Sequence, residues 1–222
     1  CKSYDPCFSF ELATIIKEGI DDMYVNNNDK YYYLTVMNEN YIHPKRPKNA
    51  TNTAIMQGGY KFLGNKKPDI RILASGVTLR FALEAEKILT KMDIHAEIWS
   101  ITSFNELYRG GLDSERKNAL HQTSEVSYVE KCFQKNIPTI AVSEYMRNYP
   151  EQIRNYVNGD YVCLGTDGYG RSDTRENLRE FFEIDQNYIV YYALSISKKY
   201  LEAKKFAKDH KLSLKKKNPW QI

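Results

Sequence analysis

The residues best suited to chemistry lie in LGTDGYGRSDTREN, Leu164 to Asn177. Gly165, Gly168 and Gly170 open backbone conformations that other residues resist. The run follows the apolar Tyr161-Val162-Cys163-Leu164, and Asp173 with Glu176 three positions on makes a capping-box pattern for a helix. Open α/β sheets keep ligand sites at such strand–loop–helix junctions, and a helix N-terminus beside Arg171 could hold a phosphate. The details oppose that chemistry. No Lys-Ser/Thr pair follows the glycines as in a P-loop, and Gly168-Tyr169-Gly170 lacks the third glycine of a dinucleotide fingerprint. The favoured reading is a tight turn in which Asp167, Arg171 and Asp173 pair with one another.

A second candidate, Asn38-Glu39-Asn40-Tyr41, leaves the C-terminal end of a strand and fits a ligand site or a plain polar turn equally well. His43, His95, His121 and His210 fall in no metal-binding spacing. His121 reads as a loop histidine, with a general base as the alternative. No G-x-S-x-G elbow supports hydrolase chemistry. Glu11 and Glu18 share a face of the first helix, read as solvated or as a subunit contact.

The elements that must position these residues alternate in type. A helix runs from Asp5-Pro6 to about Val25, with Phe10, Ile15 or Ile16, Ile20 and Met23 at helical spacing. Tyr31 to Val36 reads as a buried strand, and His43 to Asn49 as a linker. Further strands are expected at Ile70–Ala74, Ala96–Ile101, Pro138–Val142 and Tyr161–Leu164. Helices are expected at Thr78–Lys91, in a short piece capped by Thr102 to Glu106, over Glu144–Val157, at Thr174–Phe182 and at Gln186–Lys208. The order predicts an α/β fold, a mostly parallel sheet flanked by helices.

Composition narrows the class. With 222 residues, 42% hydrophobic and 27% charged, the chain is an ordinary globular protein. A net charge of +4 is too small to call for a nucleic-acid partner, and the Lys215-Lys216-Lys217 end reads as solvated. No apolar run reaches membrane-spanning length, and no signal-peptide pattern is present. Cys1, Cys7, Cys132 and Cys163 have no paired spacing and read as free thiols of a cytoplasmic protein. The chain starts at Cys1, and its first fifty residues offer too little to bury a core alone, so we expect a longer protein.

Five segments in this order carry a family resemblance: YDPCFSFELATIIKEGIDDMY, YYYLTVMNENY, WSITSFNELYRGGLDSER, VSEYMRNYPEQIRNYV and LGTDGYGRSDTRENLREFFEID. They closely resemble the C-terminal end of the homodimeric bacterial pyruvate dehydrogenases (acetyl-transferring), which are transketolase-like thiamine diphosphate enzymes. The resemblance runs from about Tyr4 to about Tyr192 and includes Asn218-Pro219. It implies that residues 1–48 end a middle, pyrimidine-binding domain, 49–67 link, and 68–222 form a transketolase-like C-terminal domain. It also implies thiamine diphosphate and Mg2+ in the full-length enzyme, oxidative decarboxylation of pyruvate, and acetyl transfer to the lipoyl domain of dihydrolipoamide acetyltransferase. The family's activating glutamate, magnesium ligands and histidines precede Cys1, so no catalytic, cofactor-binding or metal residue is expected within 1–222. The piece would be structural, dimer-forming and inactive alone.

Related transketolases place a phosphate-binding arginine where this chain has Asn38, which suits a substrate without phosphate. Asn38, Glu39, Asn40 and Tyr41 are therefore expected at the rim of the substrate channel. Asp167, Arg171, Ser172, Asp173 and Arg175 are expected to form a structural loop, with Asp167, Arg171, Asp173 and Arg175 in a polar network at or near the dimer interface. The alternatives are a transketolase-family enzyme for another 2-keto acid or sugar, and a stand-alone interaction domain.

Overall fold

A computed structural model describes residues 1–64 and 67–221. The first unit is β1 (Lys2–Tyr4), α1 (Ser9–Ile20) continued by a π-helical turn over Asp21–Val25, and β2 (Tyr32–Leu34), which pairs parallel with β1. Then follow α2 (Asn52–Met56), β3 (Tyr60–Leu63), β4 (Ile70–Ala74), α3 (Thr78–Lys91), β5 (Ala96–Ser100), α4 (Phe104–His121) and α5 (Tyr128–Cys132). The rest is β6 (Thr139–Val142), α6 (Asn148–Glu151), β7 (Tyr161–Leu164), α7 (Arg175–Phe181), α8 (Gln186–Ile196) and α9 (Tyr200–Asp209).

The main sheet has the order β3-β5-β4-β6-β7; β3 is antiparallel to β5 and the other neighbours are parallel. Strands β4, β5 and β6 are buried throughout, as a parallel sheet covered on both faces requires. Alternate residues feed two cores. Ile70, Ile72, Ala74, Ile98, Ile140 and Val142 face α3, α8 and α9. Leu73, Trp99, Ala141 and Cys163 face α4, α5 and the Arg154–Tyr156 turn. The buried face of α3 carries Ala82 and Ala85, whose small size suits close packing against α8.

An ion pair is enclosed in the second layer. Arg71 Nε donates to Glu97 Oε1 at 2.8 Å, Lys61 Nζ meets Glu97 Oε2 at 2.5 Å, and the Arg71 guanidinium lies 5.2 Å from the Phe133 ring centre.

The parallel sheet and its helices match the expected class, and several local expectations are corrected. The stretch 49–67 contains α2 and β3, and β3 is an edge strand of the main sheet. The short helix expected after Ser103 runs to His121, because its Gly110-Gly111 pair does not stop it and Gly111 lets the Tyr156 ring lie against the backbone. Between Glu144 and Val157 only α6 and one 3-10 turn form, around Pro150. The closing helix breaks into α8 and α9 at Lys198, which takes a left-handed φ of 60°. The strand expected from Tyr31 to Val36 shrinks to three residues, and Tyr31 and Tyr33 are exposed. Among the described residues no helix is long and apolar enough to cross a membrane. All four cysteines are unpaired thiols, as expected.

Candidate functional site

Beyond β2 the chain turns through Asn38-Glu39-Asn40-Tyr41 and meets the helix that follows the glycine loop. Glu39 is the centre of this contact. Arg179 Nη2 donates to its Oε1 at 2.5 Å, Arg80 Nη1 to its Oε2 at 3.1 Å, and Arg175 Nε stands 3.7 Å away. The Arg179 hydrogen bond leads in holding the Glu39 carboxyl below its ordinary range. Asn38 accepts from Arg175, Tyr41 donates its hydroxyl proton to the Cys7 carbonyl, and the Arg80 guanidinium stacks 4.4 Å from the Tyr41 ring centre. Asn40 is exposed.

Arg179 also bonds Glu144, at the end of β6, at 3.3 Å. Burial raises the Glu144 carboxyl, which the arginine only partly offsets. These groups border a cleft of about 420 Å³ lined by Met37, Glu144, Thr166, Arg171, Arg175 and Arg179 among others.

The glycine loop is built for close approach. A Cβ on Gly165 would stand 2.4 Å from the Tyr145 carbonyl oxygen. Gly168, at φ +95°, lies against the backbone of Pro219 and Trp220, whereas a Cβ on Gly170 would meet nothing within 4 Å. The loop side chains disperse. Asp167 accepts from the Arg147 amide at 2.9 Å and ion-pairs with the Arg147 side chain at 3.3 Å. Asp173 accepts from the Thr174 amide at 2.7 Å and from Asn177 Nδ2 at 2.8 Å, Arg171 lies over Phe181 at 5.4 Å, and Ser172 is exposed. The N-cap is Thr174, one residue later than expected, with its hydroxyl accepting from the Asn177 amide. The mutual pairing expected of the loop's charged residues is corrected for Arg175: it leaves the loop for Asn38 and Glu39, joining the two stretches singled out in the sequence.

Two further carboxylates of the first unit were missed as site residues. Glu11, expected on a solvated or subunit-contact face, is fully buried within the chain. It accepts from the Cys7 and Phe8 amides at 2.7 and 2.8 Å, from the Tyr60 hydroxyl at 2.7 Å and from the Ser100 hydroxyl at 2.5 Å. Burial pushes its carboxyl up, against the pull of those donors. Its position three residues after the N-cap, amid Phe8, Phe10 and Ile15, was the available signal. Asp5 accepts from Thr35 at 2.6 Å and from the Tyr145 and Tyr149 hydroxyls at 2.8 Å each. Burial leads in raising both phenols.

The remaining candidates are minor. His43 Nδ1 accepts from the Ser9 amide at 3.0 Å, and His121 ends α4 in solvent. Lys216, expected to be solvated, donates to the Glu180 carbonyl at 2.8 Å. Among the described residues no three His, Cys, Asp or Glu side chains converge on a metal position. Burial raises the Cys7 and Cys163 thiols, so neither is a ready nucleophile.

Comparison with known proteins places this architecture. The transketolase-like TK C-terminal domain matches residues 58–185, and the pyruvate dehydrogenase E1 component middle domain matches residues 1–44. The chain is 46% identical over 202 residues to a pyruvate dehydrogenase E1 component of Pseudomonas aeruginosa, and 43% identical over 201 residues to that of Escherichia coli K12. Each alignment takes in 87% of this chain but only 23% and 22% of those relatives, so the chain spans under a quarter of their length. In three dimensions it resembles transketolase of Pichia stipitis, with a TM-score of 0.64 and 17% identity over 90% of this chain and 25% of that one. Leishmania mexicana transketolase gives 0.65 and 15% identity over 89% and 25%. The chain therefore belongs to the transketolase-like C-terminal domain family and is homologous to the pyruvate dehydrogenase E1 component.

Proposed function

We propose that this chain is the C-terminal part of a thiamine diphosphate-dependent pyruvate dehydrogenase of the homodimeric bacterial type. The supporting observation is that a pyruvate dehydrogenase E1 component middle-domain match, followed by a transketolase-like C-terminal-domain match, coincides with 46% identity across 87% of the chain. The full-length protein would be cytoplasmic, oxidatively decarboxylate pyruvate, and pass the acetyl group to the lipoyl domain of dihydrolipoamide acetyltransferase.

In this reading residues 1–48 close the middle domain, and the C-terminal domain begins at β3, ahead of the boundary at 68 read from the sequence. The residues described here offer no fitting seat for thiamine diphosphate or Mg2+: no metal-ligand cluster converges, and Arg175 and Arg179 are engaged by Glu39, Asn38 and Glu144. Both groups are assigned to upstream parts of the longer protein. What this chain supplies is support: it fixes the turn 38–41 at the channel rim and builds part of the dimer.

The test has two arms. Purified residues 1–222 should release no carbon dioxide from pyruvate in the presence of thiamine diphosphate, Mg2+ and an electron acceptor; turnover would overturn the proposal. In the full-length enzyme Asn38→Ala with Asn40→Ala should raise the KM for pyruvate, and unchanged kinetics would remove the turn from the channel.

A further inference from the structure

We propose that Arg179 and Arg175 of α7 are positioning residues for the turn 37–41, acting through Glu39 and Asn38, and so tie pyruvate affinity to the helix behind the glycine loop. The link to pyruvate rests on the channel-rim reading above; the positioning does not.

The turn has no backbone ladder to hold it. After Leu34 no helix or strand forms until Asn52, and among the described residues 37–41 take part in no backbone–backbone hydrogen bond. Its place is therefore set by side chains. Tyr41 anchors one end on Cys7 and Phe8, and Glu39 carries the ionic contacts; the Glu39–Arg179 contact is largely withdrawn from water, with side-chain exposures of 15% and 12%. A charge-assisted bond in that setting is stronger and better defined than a surface pair. Arg175 adds the bond to Asn38 but is half exposed, so it is the lesser of the two.

Arg179 is shared. The same Nη2 that holds Glu39 also reaches Glu144 at the end of β6, so one guanidinium joins the turn, α7 and the central sheet. Displacing α7 would draw the turn with it. Arg80 reaches Glu39 and Tyr41 from the other side, from the first turn of α3. The turn is thus a side-chain bridge between two helices of the C-terminal domain, although it belongs to the segment matched by the middle domain.

The test uses the full-length enzyme with Arg179→Gln, Arg179→Lys and Glu39→Gln, and Lys17→Gln as a surface control. One readout is independent of activity: chymotryptic nicking after Tyr41, compared with nicking after Tyr24, which is 76% exposed. Arg179→Gln and Glu39→Gln should speed the Tyr41 cut about tenfold and leave the Tyr24 cut unchanged. The KM for pyruvate should rise about tenfold with kcat within about twofold, the pattern of lost ground-state binding. Arg179→Lys should recover part of both, and Lys17→Gln should change neither.

An unchanged Tyr41 cut, or both cuts accelerating together, overturns the positioning role. A faster Tyr41 cut with unchanged KM, while Asn38→Ala with Asn40→Ala does raise KM, overturns the tie to affinity. A faster cut with both sets kinetically silent supports the positioning and overturns only the channel-rim reading.

Discussion

Glu11 and Glu39 show how two carboxylates of one short stretch can be driven in opposite directions by their surroundings. Glu11 sits dry among four donors, and burial raises its carboxyl; Glu39 sits among arginines, and its carboxyl is lowered. The pH dependences follow with opposite sign. The unfolded chain ionises Glu11 before the folded one does, so its contribution to stability falls as pH climbs from the usual glutamate range toward the raised folded value. Glu39 contributes fully above the usual range and loses its contribution as pH falls through its lowered folded value. Urea midpoints of Glu11→Gln and Glu39→Gln followed against pH should therefore diverge from the parent at opposite ends. Glu11→Ala should cost about 2–4 kcal/mol at neutral pH, because Tyr60, Ser100 and two amides lose their acceptor. Sequence reading placed Glu11 on a helix face correctly but could not see that β3 and β5 would close over that face, since both contacts come from far along the chain.

At the scale of elements, the regular α/β rhythm was legible because buried parallel strands read as continuous apolar runs, as in Ile70-Arg71-Ile72-Leu73-Ala74. What escaped were short or half-polar pieces: β1, α2 and β3 are stabilised by pairing and docking, not by a periodic signal of their own. Arg71, within that apolar run, is fully buried because Glu97 lies beside it in register on β5. Glu97→Gln should cost about 3–5 kcal/mol in a denaturant titration, the range for breaking one side of a buried pair. The glycine loop stands out in the sequence, where the want of a Lys-Ser/Thr pair after the glycines favours a tight turn over a phosphate site. Its first glycine admits the Tyr145 carbonyl, so Gly165→Ala should destabilise by about 1–3 kcal/mol, while Gly170→Ala should stay within about 0.5 kcal/mol. Equal effects in thermal unfolding would contradict the packing described.

Over the whole molecule, three carboxylates of residues 1–48 each take donors from the main-sheet domain: Asp5 from Tyr145 and Tyr149, Glu11 from Tyr60 and Ser100, Glu39 from Arg80 and Arg179. The two parts should consequently unfold together. Calorimetry of the chain should give one transition, and Asp5→Asn combined with Glu11→Gln should split it or leave a low-temperature shoulder. No local pattern in the sequence disclosed this bonding between residues 1–48 and the main sheet, because each donor–acceptor pair is assembled by the fold. One contact is made from much further along the chain. Gly168 rests on the backbone of Pro219 and Trp220. Pro219 and Trp220 are thus a wedge beneath the loop, and deleting them would be felt in α7 and, through Arg179, at the turn it braces.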